Sequence, residues 1–288
     1  MEIMTDIPRF ILKRSGQTEA YDNRKIREAI RKAFQATNTA VSEERLNEFV
    51  NQAERQIIQH LDPDQVFSVE YVQDRVEQAL MKADCFSQAK AYILYRENRR
   101  ILRGERQRLL DFFPDLPGFG DTLASIARDF PADPYSLGAL IRKFQSLFKE
   151  NLPLGERMAL LTRAALELTD KEAARWEMVA GRLHSCFYHA QLKERTHGLG
   201  LAGYVEKMHY LDREGLLARM MLKTYSDADL REAETFMDPS RDHLLPWSGL
   251  DLLIRRYVIH DRKHQPLESI QEMYLNIALY LAIPEKPS

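Results

Sequence analysis

The chain has 288 residues, 44% hydrophobic and 29% charged, which is an ordinary globular balance and long enough for two modest domains. A net charge of −2 gives general nucleic-acid binding no support, so any anion site must be local and no direct nucleic-acid partner is expected. No apolar run is long enough for a membrane helix, the opening MEIMTDIPRF lacks a signal-peptide pattern, and the two cysteines, Cys85 and Cys186, read as reduced core thiols. The expectation is a cytoplasmic protein without a membrane partner.

Residues 8–24 read as a β-hairpin. The segment from Arg9 to Arg14 alternates, Ser15-Gly16-Gln17 makes a tight turn, and Glu19-Ala20-Tyr21 returns. Asp22 then suits the N-cap of a helix whose buried stripe is Ile26, Ala29, Ile30, Ala33 and Phe34. A second helix is expected over 43–61, with Leu46, Phe49, Val50, Ala53, Ile57 and Leu61 inward and Asp62-Pro63-Asp64 as its stop. Val66-Phe67-Ser68 could add a third strand. A third helix carries Val72, Val76, Ala79, Leu80 and Ala83 inward, and a fourth runs from about Ser87 to Arg103.

Residues 8–103 thus form one unit: a small hairpin or three-stranded sheet against four helices. Residues 104–133 are expected to be a linker, because Pro114, Pro117, Gly118 and Gly120 crowd a short span that regular structure does not tolerate. From 134 to 288 the chain reads as a helical domain. Its stripes are Leu137, Leu140, Ile141, Phe144, Leu147, Phe148, then Met158, Leu161, Ala165, Leu168, then Trp176, Val179, Ala180, Leu183, Phe187. The segment 134–196 echoes the helix order of the first unit without its basic hairpin, as a degenerate second copy would. A hairpin around the polar turn Asp261–Pro266 and a last helix, 271–281, complete a mainly α, α+β fold class.

The sharpest chemistry lies at the first turn. Lys13 and Arg14 are adjacent cations, Glu19 is on the return strand, and Lys25 sits in the first turn of the following helix. Polyphosphate needs converging positive groups, and a helix N-terminus adds free N–H donors. A glutamate beside them could accept from a ribose hydroxyl or an amino group. Physical chemistry alone also allows a solvated basic edge that resists strand pairing. The glycine-lysine spacing of a P-loop is absent. His184, Cys186 and His189 are too unevenly spaced on a helix to share one metal.

The run FILKRSGQTEAYDNRKIREAIRKAF resembles the ATP-cone signature, and VEYVQDRVEQAL and AKAYILYRENRR resemble the cone's later helices in the same order. Ser15 departs from the usual acidic turn residue. The resemblance implies ATP or dATP as an allosteric effector, with Mg²⁺, and no catalytic cofactor of the chain's own. It implies Lys13, Arg14 and Lys25 on phosphate, and Glu19, Ala20, Tyr21, Asp22, Asn23 and Arg24 lining the nucleotide. Val69 and Gln73 match the family in place only. Arg96, Arg99 and Arg100 are further phosphate candidates, or solvated cations at a helix end.

Residues 197–283, from HGLGLAGYVEKMHYLDREGLL to PLESIQEMYLNIALYLAIP, resemble the N-terminal helical domain of ribonucleotide reductase large subunits. The class I and cobalamin-dependent groups both match. The family makes deoxyribonucleotides with an active-site thiyl cysteine, a redox cysteine pair in a ten-stranded α/β barrel and C-terminal shuttling cysteines. Cys85 and Cys186 match none of these. The expectation is a regulatory segment with no catalytic residue and no metal site, either shortened from a longer chain or made by a split gene. Implied partners are the chain carrying the barrel, the radical-generating small subunit, and further copies of itself through the cone. The alternatives are a stand-alone nucleotide regulator, whose zinc ribbon would need four ligand cysteines, and a structural helical protein with a degenerate cone.

Overall fold

The computed structural model describes residues 10–13, 16–59, 66–131 and 134–285. The chain divides into two compact units, one up to Ile101 and one from Leu102.

The first unit opens with β1 (Phe10–Leu12) and β2 (Thr18–Ala20), antiparallel, with Ile11 opposite Glu19. Gly16 takes φ +80 and its N–H donates to the Lys13 carbonyl, a turn that a β-carbon would strain. Asp22 caps α1 (Asn23–Ala36) by accepting from the Arg24 N–H. α2 (Glu43–Gln59) follows, then β3 (Phe67–Ser68), which pairs parallel to β1 and gives the sheet order β2-β1-β3. Ser68 caps α3 (Val69–Lys82) by accepting from the Tyr71 N–H. The core consists of the expected stripes: Ile26, Ile30, Ala33 and Phe34 from α1, Leu46, Phe49, Val50, Ala53 and Ile57 from α2, and Val72, Val76, Ala79 and Leu80 from α3. Leu61 and the stop at Asp62–Asp64 lie outside the described residues, as do Arg9, Arg14 and Ser15.

The fourth helix is longer than the pattern predicts. α4 runs Phe86–Phe112, so the expected linker begins inside a helix. The reason is local: Glu105, Arg106, Gln107, Arg108, Leu109 and Leu110 are good helix formers, and Leu109 buries completely. The Pro-Gly punctuation at 114–118 breaks only a short span. Gly118, at φ 74, then starts α5 (Phe119–Asp129), whose Leu123 and Ile126 are buried. The irregular stretch expected at 104–133 is therefore mostly helical, and the clustered prolines and glycines mark one tight corner.

The second unit continues with α6 (Leu137–Leu147), α7 (Leu154–Leu166) and α8 (Trp176–Gly198). Residues 134–196 contain no strand among the described residues. Phe113, Phe119, Leu140, Phe144, Leu161, Trp176 and Leu183 centre the largest core of the chain. α9 (Tyr204–Arg213), α10 (Met221–Thr224), α11 (Asp227–Glu234), α12 (Trp247–Arg256) and α13 (Ile270–Ala282) follow, with a 3-10 turn at Pro239–Leu244. The expected return near 257–268 is present in its smallest form, one antiparallel bridge between His260 and Pro266. Proline has no N–H to extend a ladder, and the Asp261 carboxylate takes the Lys263 and Gln265 N–H groups. No helix among the described residues is long and apolar enough to cross a membrane.

Candidate functional site

Strand alternation decides what meets at the hairpin. Residues two apart on a strand share a face, and directly paired residues share it too. Ile11 and Lys13 therefore fall on one side, with Glu19 beside them through its pairing with Ile11 and Tyr21 two positions on. Asp22 then turns the chain into α1 and brings Lys25 round in the first turn. β3 sets the start of α3 against β1, which carries Val69 to the same place and Gln73 one turn later.

These elements enclose a cavity of about 220 Å³. Lys13, Glu19, Ala20, Tyr21, Asp22, Lys25, Val69 and Gln73, all expected from the sequence, line it. Ile11, Ile26, Ala29, Val72 and Tyr92 complete its walls. The sequence reading assigned Ile26, Ala29 and Val72 only to the core. Tyr92 escaped notice, although a polar-tipped ring in the apolar register of α4 was the available signal.

Glu19 organises the charge. Lys25 Nζ donates to Oε1 at 2.8 Å, and Lys13 Nζ lies 3.0 Å from Oε2. The Lys25 hydrogen bond, then that of Lys13, holds the Glu19 carboxyl below its usual range. Tyr21 Oη donates to Oε1 of the buried Glu54 at 3.2 Å, and the Tyr21 ring meets Phe67 edge-on at 6.0 Å. Burial, then the Glu54 charge, raises the Tyr21 phenol above its ordinary value. The cavity thus has a charged mouth and an apolar, aromatic interior. A polyphosphate chain suits the first, and a ring system suits the second.

Other expected positions fall elsewhere. Asn23 and Arg24 are exposed and do not line the cavity, and Arg24 folds back onto Asp22 at 3.0 Å. Arg96 is taken by Asp74 and Glu77 at 2.6 and 2.7 Å, Arg100 pairs with Glu97, and Arg99 stands over the Tyr95 ring. Neighbouring acidic residues and an aromatic ring on the same or adjacent helix absorb these cations. Arg14 lies outside the described residues.

Residues 9–101 match the ATP cone domain. The first unit is an ATP-cone. ATP-cone domains bind nucleotide effectors, and the cavity lies wholly within this cone. The chain is homologous to ribonucleoside-diphosphate reductase subunits alpha over most of its length. The Treponema pallidum subunit is 37% identical over 278 residues, which is 96% of this chain and 33% of that protein. The Chlamydia muridarum subunit is 27% identical over 303 residues, 96% of this chain and 29% of its own length. The Helicobacter pylori subunit is 26% identical over 140 residues, 48% of this chain. The chain spans about a third of the length of the first two relatives.

Outside the cone, His184, Cys186 and His189 separate on α8. His184 faces Asp251 at 3.9 Å, His189 bonds Asp242 at 2.9 Å, and Cys186 lies 3.8 Å from the Pro117 carbonyl. Burial raises the Cys186 thiol above its ordinary value, which disfavours the thiolate. Cys85 and Cys186 are both free thiols.

Proposed function

We propose that this chain is the effector-sensing segment of a ribonucleotide reductase large subunit and that its cone takes ATP or dATP with Mg²⁺. The observation that carries the reading is the convergence of Lys13 and Lys25 on Glu19 at the mouth of the cone cavity. Both lysines are exposed at their tips and already spaced for one anionic group. A phosphate arriving there competes with the Glu19 carboxylate for the same two ammonium groups, and Glu19 is then free to accept from a sugar hydroxyl or an amino group. Tyr21, Val69 and Gln73 form the wall against which a base would lie.

Regulation follows if the two nucleotides favour different assemblies through different affinities for them. The proposed output is a change in self-association through the cone, or in the access of a radical-generating subunit to the catalytic barrel. Catalysis is assigned to neither Cys85 nor Cys186. A cytoplasmic location, and a degenerate second cone-like unit at 134–196, belong to the same proposal.

Calorimetric titration with ATP and with dATP, each with Mg²⁺, tests this, with light scattering on the same samples. Micromolar binding with a change in mass supports a cone that controls assembly. Binding without a mass change keeps the sensor and moves its output elsewhere. No binding of either nucleotide would falsify the reading and favour the structural alternative.

A further inference from the structure

The second unit holds a cavity of its own, about 240 Å³, between α7, α8 and α12. It is similar in size to the cone cavity at about 220 Å³, but its chemistry differs. Met158, Leu166, Phe187 and Trp247 supply apolar and aromatic wall. Polar side chains interrupt it from all three helices: Thr162 and Arg163 from α7, His184 from α8, and Asp251 and Arg255 from α12. His184 Nε2 is buried and has no hydrogen-bond partner among the described residues; Asp251 Oδ1 lies 3.9 Å away, beyond hydrogen-bond reach. Asp251 is itself held in place by Arg255 Nε, 2.9 Å from the same oxygen. The His184 side chain as a whole is 27% exposed, and its unpaired ring nitrogen on the cavity wall is open to a hydrogen bond from a group that enters the cavity.

We infer that this cavity is a second small-molecule site, built for a planar heterocycle bearing an amino group. Pockets for drug-sized ligands start near about 300 Å³, so 240 Å³ suits a single small ring system. The ring packs against Trp247 and Phe187. Its amino group donates to Asp251, and a ring nitrogen or N–H meets His184 Nε2. Burial lowers the His184 pKa, so the imidazole is neutral at physiological pH and its Nε2 can complement either edge by choice of tautomer. Arg255, at the rim, keeps the Asp251 carboxylate aimed inward. This site is independent of the cone and does not rest on the cone's function.

Adenine is the probe, since it is such a ring and carries neither sugar nor phosphate. Trp247 lines the cavity and Trp176 is buried in the adjoining core, so a ligand-dependent fluorescence change that a cavity substitution removes reports on this site. The full chain is titrated beside the Lys13→Ala/Lys25→Ala variant, which disables the cone mouth. The expected result is saturable quenching of equal midpoint in both. Ala159→Phe, at an exposed position on the cavity wall, should abolish it, and Asp251→Asn should weaken it. Circular dichroism checks that both variants fold. Absence of saturable quenching in the unaltered chain overturns the inference, as does quenching that survives Ala159→Phe. Quenching lost in the cone variant would assign the signal to the cone and overturn it equally.

Discussion

Lys13 and Lys25 are held on opposite oxygens of one carboxylate, that of Glu19, at 3.0 and 2.8 Å. Lys13 leaves β1 and Lys25 belongs to α1, so the hairpin and the helix entry are tied together at the point where an anion would bind. Lys25→Ala should weaken ATP binding by about 10- to 100-fold, the worth of one charge-assisted hydrogen bond of about 1.5–3 kcal/mol. The Lys25 side chain is 63% exposed, so the melting temperature should barely move. Calorimetry and a thermal melt on one preparation check both halves. Full affinity in Lys25→Ala would take this lysine out of the site.

Asp22 lines the same cavity and starts its helix. Its Oδ1 accepts from the Arg24 N–H at 3.0 Å and caps α1. Asp22→Ala should cost about 0.5–2 kcal/mol, while Asp22→Asn should keep most of the cap. Urea denaturation of the two variants checks this; equal losses would mean that the charge, and not the cap, is what matters.

Phe144 sits among Phe112, Phe113 and Phe148, with ring centroids at 5.1, 5.8 and 5.3 Å, and it is fully buried. Phe144→Ala should destabilise the second unit by about 3–5 kcal/mol, through lost contact and the cavity left behind. Chemical denaturation followed through Trp176, in the same core, is the measurement. A loss under about 1 kcal/mol would mean that the three remaining rings collapse into the space.

Glu268 gives the second unit a pH dependence. It is 2% exposed, and burial pushes its carboxyl up to about 7, against the Ile259 N–H and Asn276 amide that favour the charged form. The neighbouring Glu272, itself paired with Lys207 at 2.7 Å, pushes the same way as burial. The folded state therefore holds a proton that the unfolded chain has released. Stability from this group is full below about pH 4.5 and is lost as pH rises through about 7, a swing of order 3 kcal/mol. Glu268→Gln should flatten the stability profile between those values. A profile with the same slope in the variant would assign the dependence to other groups.

Much of the cone was legible from short-range pattern. The stripe through Ile26, Ile30 and Phe34 and the cap at Asp22 depend on neighbours within a turn or two, so periodicity and side-chain chemistry suffice. The same holds for Lys13 and Glu19, which the tight turn at Gly16 brings together. The length of α4 was missed because proline and glycine counts outweighed the helix-forming residues before them. Tertiary packing alone decided the rest. Val69 and Gln73 reach the cavity only because β3 pairs with β1, and Arg96 is withdrawn from solvent by Asp74 and Glu77 of α3. His184 and Asp251 meet across two helices far apart in sequence, and Glu268 holds its proton because several elements bury it. Spacing along a chain encodes which face a side chain takes; which charge or cavity that face then meets is set by long-range packing, and no local pattern carries it.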